Sequence, residues 1–360
     1  MPDREKRAIR RIIVRGVDET RELRGTHRAI AVLAIIGLLF ACGVLIALTG
    51  GTRMPYTHAL YIPIVLAAFL FRAPGGLIVG IVAGLIAGPW MPLDAATAAA
   101  QSPEGWLMRT AFFCAAGITA GELTALLDFR LRLAEEVLEE LSRTYARTLR
   151  AFAATVARRD ENTGGHCERV ALNARALGEE LGLDADRLET LYWAALLHDF
   201  GKISVIERIL LKPGRLTEDE YRHVQLHATI GADLVAEASP AFAPIAEGIR
   251  THHERWDGTG YPRGLSGEDI PLFGRILAVV DVFEALTSDR PYRPPHSPEF
   301  ALRYIRDHAG THFDPRVVGA FGRLSRAGRI VLADGGASQP AVEQPARFSL
   351  RLVEAAQIGA

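Results

Sequence analysis

Histidine side chains are concentrated in the second half of the sequence, and two of the apolar stretches there end in residues that could bind metal. LYWAALLHDFGK carries His198 and Asp199, and RILAVVD ends in Asp281. The other histidines in the pattern are His166, His227 and the adjacent pair His252 and His253. Imidazole nitrogens and carboxylate oxygens suit Fe, Mn or Zn better than Ca²⁺ or a soft metal. One such histidine alone is more often a core residue, but the whole set indicates a metal centre.

The adjacent His198 and Asp199 indicate what kind of metal centre this is. At a helix end both side chains can face one cluster, and the carboxylate can bridge two ions. Two metal ions about 3.5–4 Å apart form a clamp for in-line attack on phosphorus. The pattern therefore predicts a centre that hydrolyses a phosphoester, with Asp199 as its central catalytic carboxylate.

Further residues near this pattern are predicted to face an anionic substrate. The loop HHERWDGTGYP follows the histidine pair and is rich in turn residues, so Gly260, Tyr261 and Pro262 can form a wall of the pocket. Tyr261 would supply a stacking face or a hydroxyl. Lys202 follows the HD pair, and Arg290 follows Asp281 in LTSDRPYR, so both could bind a phosphate. The alternative interpretation of HHERWDGTGYP is an ordinary surface loop.

Helices are predicted to position all of these residues. Residues 158–326 contain amphipathic helical stretches separated by loops of Gly and Pro, and no run alternates as strands do. This segment is therefore predicted to be an all-α catalytic domain. Residues 327–360 contain GGASQP and further prolines, and they are predicted to form a mobile tail.

The segment before the catalytic domain, residues 128–157, is predicted to be one helix. It is rich in Leu, Ala, Glu and Arg and contains no Gly or Pro. A heptad-like seam, typical of a parallel helix pair, runs through Leu131, Ala134, Leu138, Leu141, Tyr145, Thr148 and Phe152. This seam predicts a coiled-coil-like linker and a homodimer. The alternative is a single amphipathic helix that packs on the next domain.

Residues 29–127 are predicted to be a membrane module. Residues 29–48 carry no charged side chain, and roughly 20 such residues cross a bilayer core as a helix. Apolar segments at residues 56–71, 75–90 and 106–127 bring the predicted number of transmembrane helices to four. The segments at 56–71 and 75–90 are short enough to be re-entrant. The rival interpretations are buried helices of a soluble protein and a signal peptide, for which the first run is too long and starts too late.

Charge gives the predicted orientation of this module. Residues 1–28 form a basic tail, and further arginines follow the last apolar segment. Lys and Arg accumulate on cytoplasmic loops, so both ends of the module are predicted to lie in the cytoplasm. The net charge of the whole chain is only −1, which argues against a nucleic-acid polymer as partner. The three cysteines do not form a disulfide framework or a zinc ribbon.

Three motifs together, HDFGK, HHERWDGTGYP and VVDVFEALTSDRPYR, resemble those of the HD-GYP family of metallophosphohydrolases. The resemblance covers residues 153–324, about half of the chain. It implies an all-α domain with a non-haem metal centre, usually of iron or manganese. It also implies hydrolysis of the bacterial messenger cyclic di-GMP to pGpG or GMP. The membrane part is similar, more loosely, to the four-helix sensor modules that precede such domains.

The resemblance also implies a ligand set for two divalent metal ions. His198, Asp199 and Asp281 match the ligands of one metal, and His227, His252 and His253 match those of the other, with Asp199 as the bridge. His166 matches the first histidine of the family pattern. Some members carry a Glu four residues before that histidine, which allows a third metal, but this chain has Asn162 there. Lys202 and the metal ions would neutralise charge on the phosphoryl oxygens.

The resemblance further implies where the protein acts and with what. The expected location is the bacterial inner membrane, with a multi-pass anchor and a cytoplasmic catalytic domain. The loop that carries Gly260, Tyr261 and Pro262, named the GYP loop, is expected to contact partner proteins, which could include diguanylate cyclase domains of the GGDEF type. Two alternatives stay open: a receptor that binds the nucleotide or a partner without turnover, and an HD hydrolase of another cyclic dinucleotide.

Overall fold

The structure, a computed structural model, describes residues 25–159, 165–289 and 294–332. Most of the predicted basic tail, most of the predicted C-terminal tail, Asn162 and Arg290 therefore lie outside the described residues. The chain divides into two compact units, Met1–Glu136 and Val137–Ala360.

The described residues form α-helices joined by turns, loops and short 3₁₀ helices. In chain order the helices are α1 (Gly25–Leu48), α2 (Tyr61–Ile86), α3 (Pro103–Arg159), α4 (His166–Glu180), α5 (Ala185–Leu197), α6 (Glu207–Leu210), α7 (Glu218–Ala238), α8 (Ala243–Thr251), α9 (Leu272–Thr287), α10 (Pro298–Asp307) and α11 (Pro315–Arg326). Isolated β-bridges occur, but the described residues contain no β-strand. The predicted all-α fold class is confirmed.

By length and composition alone, three helices in the described residues could cross a membrane. They are Thr26–Leu48, Pro55–Ile86 and Pro103–Arg159. The second of them contains the short span predicted at residues 56–71 and residues 75–86 of the span predicted at 75–90. The predicted count of four transmembrane helices therefore stays a prediction.

A backbone break at Arg72 divides α2 into two halves. Arg72 has φ 63° and ψ −160°, a backbone conformation that residues other than glycine rarely adopt. A Cβ atom added to Gly75 would lie 2.8 Å from the carbonyl oxygen of Ala67, whereas residues this far apart in a straight helix are separated by about 12 Å. The chain therefore reverses direction at Arg72, and each half is shorter than the roughly 30 Å of a bilayer core.

Polar and small residues hold this reversal against α3. The Arg72 guanidinium forms an ion pair with Asp128 of α3, whose side chain is buried. Gly76 and Gly117 pack backbone to backbone. There is no room for a side chain on either residue, since an added Cβ atom would lie 2.3 Å from the carbonyl oxygen of the other. Such contacts between small residues are a common means of joining helices in membranes.

The core of the second unit is built around α9. Its sequence, LFGRILAVVDVFEALT, is apolar on nearly every side, which is typical of a helix surrounded by others. Trp193 of α5, Phe283 of α9 and Phe321 of α11 are at most 1% exposed in this core. Burial of one such large side chain contributes about 1.5–3 kcal/mol. Asp281 thus stands in one of the most rigid parts of the domain.

The end of α3 is part of the same core. One stripe of this helix is buried and consists of Ser142, Ala146, Ala153 and Val156. The neighbouring stripe, which is the predicted heptad seam, leaves Leu131, Leu138, Leu141, Tyr145 and Phe152 between 44% and 57% exposed. The helix predicted over residues 128–157 is present as part of α3. This part of α3 therefore packs on the domain through its buried stripe and also keeps an exposed apolar seam.

Candidate metal centre

The predicted metal ligands come from five helices but lie at one place in the second unit. His166 is the first residue of α4, His198 and Asp199 follow α5, His227 is on α7, His252 and His253 follow α8, and Asp281 is on α9. Helix ends, the middle of α7 and the core helix α9 therefore supply the donor atoms. The structure brings all of these side chains together.

The first cluster contains His166, His198 and Asp199. Their ligand atoms lie within 4.8 Å of one another, so one metal ion could contact all three. Oδ1 of Asp281 adds to this cluster, at 3.6 Å from Nε2 of His166 and 3.7 Å from Nε2 of His198. Asp281 thus faces the same space as these two histidines.

The second cluster contains His227, His252 and His253. Their ligand atoms also lie within 4.8 Å of one another. Nε2 of His227 is 3.4 Å from Nε2 of His252, and the rings of His252 and His253 are 3.9 Å apart between centroids. Neutral imidazole rings with converging nitrogens repel one another. A cation bound between these nitrogens would turn this repulsion into attraction.

Asp199 lies between the two clusters and gives one oxygen to each. Its Oδ2 is 3.4 Å from Nε2 of His198, and its Oδ1 is 3.5 Å from Nε2 of His227. Gly201 makes this position possible, since a Cβ atom there would lie 2.0 Å from the carbonyl oxygen of His227. Only glycine lets the turn after α5 pack so closely on α7.

Backbone carbonyl groups fix the orientation of three histidines. Nδ1 of His198, His227 and His252 lies 2.6–2.7 Å from the carbonyl oxygen of the residue three positions earlier. This arrangement places the proton on Nδ1 and leaves Nε2 as a metal donor. Nε2 of His198 is buried and has no hydrogen-bond partner among the described residues. A buried nitrogen without a partner, surrounded by carboxylates, fits a metal ion.

The second cluster stays uncharged because of its burial. Burial, together with repulsion from His227, lowers the pKa of His253 to about 3. Burial and the neighbouring histidines also lower the pKa of His252 well below its ordinary value. Neutral imidazole is the form that binds a metal.

The first cluster attracts a cation. Burial alone would lower the pKa of His198, but the carboxylates of Asp199 and Asp281 outweigh it and raise this pKa. Burial alone would raise the pKa of Asp199, but Lys202 and His198 hold it well below its ordinary value. A proton or a metal ion can satisfy the same two carboxylates. Burial raises the pKa of the nearby Cys167 thiol to about 11, so this side chain offers no thiolate at neutral pH.

The GYP loop, residues 254–265, packs directly on the second cluster. The Tyr261 ring lies 4.8 Å from the His253 ring, and the Tyr261 amide donates to the His253 carbonyl group at 3.3 Å. A Cβ atom on Gly260 would lie 2.3 Å from the backbone nitrogen of Arg255. Pro262 follows Tyr261 through a cis peptide bond. Burial raises the pKa of the Tyr261 hydroxyl, which therefore remains protonated.

The buried carboxylate of Glu254 organises this loop. Its two oxygens accept hydrogen bonds from the backbone amides of Arg263, at 2.8 Å, and Leu265, at 3.0 Å. Glu254 is only 2% exposed. No motif in the sequence pointed to Glu254, although a glutamate directly after two predicted metal-binding histidines is a visible signal.

Two of the predicted substrate-binding residues, Lys202 and Tyr261, lie next to the two clusters of donor atoms. Nζ of Lys202 is 2.8 Å from Oδ2 of Asp199. Tyr221 of α7, which the sequence analysis did not single out, lies edge-on to Tyr261 at 6.4 Å and is half exposed. Arg290 lies outside the described residues.

A second group that sequence reasoning missed lies behind His166. Nδ1 of His166 hydrogen-bonds to Oε2 of Glu284, and Arg169 and Ser288 contact the other oxygen of this carboxylate. Burial alone would raise the pKa of Glu284, but the hydrogen bonds of His166 and Ser288 and the Arg169 charge lower it. A charged residue within the apolar run RILAVVDVFEAL, one helical turn after Asp281, was the available signal.

Comparison with known families agrees with this geometry. Residues 150–317 match the family model described as HD domain. The matched segment contains every predicted metal ligand, and its described part is all-α. This part of the chain is therefore similar to HD domains.

Curated relatives are similar to about half of this chain. A protein from Xanthomonas campestris pv. campestris named cyclic di-GMP phosphodiesterase response regulator RpfG is 42% identical over 195 residues, which cover 54% of this chain and 51% of that protein. A cyclic di-GMP phosphodiesterase from Thermotoga maritima is 44% identical over 169 residues, 47% of this chain and 46% of the relative. A 3'3'-cGAMP-specific phosphodiesterase 3 from Vibrio cholerae is 42% identical over 171 residues, 47% of this chain and 37% of the relative. The chain thus spans about half, or less, of the length of these relatives.

Proposed function

We propose that this protein is a membrane-bound, metal-dependent phosphodiesterase of the HD-GYP group that hydrolyses cyclic di-GMP to pGpG or GMP. The observation that carries this proposal is the position of Asp199, whose two oxygens face two separate clusters of donor atoms. A carboxylate in this position can bridge two cations. The names of the relatives support a cyclic dinucleotide as substrate.

The proposed cofactors are two divalent metal ions, with iron or manganese favoured by the donor set. His166, His198, Asp199 and Asp281 would hold one ion, and His227, His252, His253 and Asp199 would hold the other. Donors of imidazole and carboxylate type support these metals over Ca²⁺. When bound, the ions supply Lewis acidity and a water of lowered pKa for attack on phosphorus.

The remaining chemistry falls to side chains around the clusters. The ammonium group of Lys202 lies beside Asp199 and would neutralise negative charge that develops on the phosphoryl oxygens. Tyr261 covers His253 and would form a wall against which the substrate packs. Arg290, Gly260 and Pro262 are proposed to complete the substrate pocket.

Two other functions are outcomes of the same test. Hydrolysis of 3'3'-cGAMP is supported by relatives of that name, whose identity is similar to that of the cyclic di-GMP enzymes. A receptor that binds the nucleotide without hydrolysing it is the less favoured alternative. Such a receptor would tolerate loss of metal-binding residues, whereas all of the predicted metal-binding residues face the two clusters here.

Membrane attachment and self-association are also part of the proposal. The helices long and apolar enough to cross a bilayer support a multi-pass anchor in the bacterial inner membrane, with the HD domain in the cytoplasm. The exposed seam on α3 supports a homodimer. The GYP loop is proposed to contact partner domains such as diguanylate cyclases of the GGDEF type.

The test is product analysis with the purified full-length chain in nanodiscs. Protein loaded with Mn²⁺ or Fe²⁺ is incubated with cyclic di-GMP or 3'3'-cGAMP in separate reactions, and metal content is measured by elemental analysis. We expect hydrolysis of cyclic di-GMP to pGpG or GMP. In Asp199→Ala, metal content and hydrolysis should fall together, because the neighbouring histidines lose their shared anion.

The matched control is Asp233→Ala, which removes an exposed carboxylate paired with Arg250 on the surface of the same domain. It should leave metal content and rate unchanged. Tight binding of cyclic di-GMP without any product would support the receptor alternative, and faster cleavage of 3'3'-cGAMP would reassign the substrate. Full activity in Asp199→Ala would contradict the metal assignment.

A further inference from the structure

Glu284 is a buried carboxylate that belongs to neither cluster of metal donors. It is 2% exposed, and it lies on α9 one turn after Asp281. One of its oxygens hydrogen-bonds to Nδ1 of His166. The other accepts from Nε of Arg169 at 2.7 Å and from Oγ of Ser288 at 2.6 Å. All of its described contacts thus hold the carboxylate in one orientation.

His166 needs this partner because of its position in the chain. His198, His227 and His252 each have a helical turn before them, and a carbonyl group of that turn binds Nδ1. His166 is the first residue of α4, so no earlier turn of its own helix can supply a carbonyl group. A side chain from α9 takes that role instead.

We infer that Glu284 is a positioning residue that fixes the ring and the Nδ1–H tautomer of His166, so that Nε2 is presented to the first metal cluster. The inference rests on the proposed metal-dependent function. A histidine ligand held by a carboxylate is also a better donor than one held by a carbonyl group, because the anion increases its basicity. Arg169 and Ser288 complete the link, which joins the first turn of α4 to α9.

The test is a titration of the full-length chain with Mn²⁺ after removal of metal by a chelator. Glu284→Gln keeps the size of the side chain but removes its charge, and we expect the dissociation constant for the more weakly held Mn²⁺ to rise about 10-fold or more. The matched control is Glu168→Gln, a carboxylate on α4 that accepts a hydrogen bond from Tyr192 at 2.7 Å instead of facing the metal site. This control should bind Mn²⁺ as the wild type does.

A double-mutant cycle separates positioning from general stability. If Glu284 acts through His166, then adding Glu284→Gln to His166→Ala should change Mn²⁺ binding no further. An equal loss of affinity in both backgrounds would overturn the inference, and so would wild-type affinity in Glu284→Gln. Wild-type protein that binds no Mn²⁺ at all would instead contradict the proposed function. The thermal midpoint of the metal-free variants shows whether the fold is retained.

Discussion

At the scale of single residues, the two oxygens of Asp199 contact different groups. Oδ1 faces His227, whereas Oδ2 faces both His198 and Lys202. The carboxylate therefore connects the two metal clusters and the cation nearest to them. Its position depends on a turn with no side chain at Gly201, so a residue without chemistry of its own determines where Asp199 lies.

Lys202 is expected to act on the transition state and not on metal binding. Lys202→Ala should lower kcat for cyclic di-GMP by roughly 10²–10³, because one preorganised cation is lost from the developing negative charge. Metal content should remain as in the wild type, since Lys202 supplies no ligand. Steady-state kinetics and elemental analysis on the same preparation check both statements. Loss of metal in this variant would assign Lys202 a role in holding Asp199.

At the scale of elements, short turns orient the helices that carry the ligands. Arg159, the last residue of α3, donates to the carbonyl group of Ile203 at 2.8 Å. Lys202 directly precedes Ile203 in the chain. This hydrogen bond therefore connects the end of α3 to the turn that contains Lys202. The backbone amides of Trp256 and Asp257 likewise donate to carbonyl groups of His312 and Thr311, which anchors the GYP loop.

The close contact of Gly260 with the backbone predicts the effect of adding one methyl group. In Gly260→Ala the new Cβ atom would lie 2.3 Å from the nitrogen of Arg255, so the loop must move and carry Tyr261 away from His253. We expect kcat/KM to fall by about 10². The free energy of unfolding should fall by about 1–3 kcal/mol. Enzyme kinetics and chemical denaturation measure these changes.

A matched glycine serves as the control for this substitution. Gly319 lies on α11, and the nearest atom to its added Cβ is the end of the Arg323 side chain at 4.0 Å. Gly319→Ala should therefore keep full activity and leave stability equal or higher, because alanine favours a helix. Unchanged kinetics in both variants would show that the GYP loop has no part in the site.

At the scale of the whole molecule, the exposed seam of α3 predicts self-association. Leu138 and Leu141 are 48% and 44% exposed, and they are neighbours in the heptad-like pattern. Glu at both positions should convert a dimer to a monomer, because it would place charges within an apolar contact. Light scattering of the full-length chain in detergent gives the mass. Equal mass for wild type and variant would contradict the homodimer.

The control for this variant changes the charge by the same amount at another position of the helix. Arg147 is exposed and lies on α3, on the side opposite to Leu138. Arg147→Glu should leave the dimer intact. A monomer in both variants would indicate that charge alone, and not the apolar seam, controls assembly.

Local chemistry and periodicity made much of this protein predictable from its sequence. The predicted metal-donor residues, the all-α fold and the apolar segments follow from residues that are close in the chain. The motifs HDFGK and HHERWDGTGYP carry ligand, turn and loop residues within a few positions, so their resemblance to a family is visible without a structure. Helix periodicity similarly indicated that residues 128–157 form one helix.

The tertiary structure decided what depends on contacts between distant residues. His166 and Glu284 are separated by 118 positions, and no local pattern pairs them. The two stripes of α3 are both apolar, so only packing against the domain decided that Ala146 and Ala153 are buried while Leu138 is not. Asp199 was predicted as a bridge, but only the tertiary structure shows which of its oxygens faces His198 and which faces His227. Sequence determines which side chains are available, whereas the packing of helices determines which of their atoms meet.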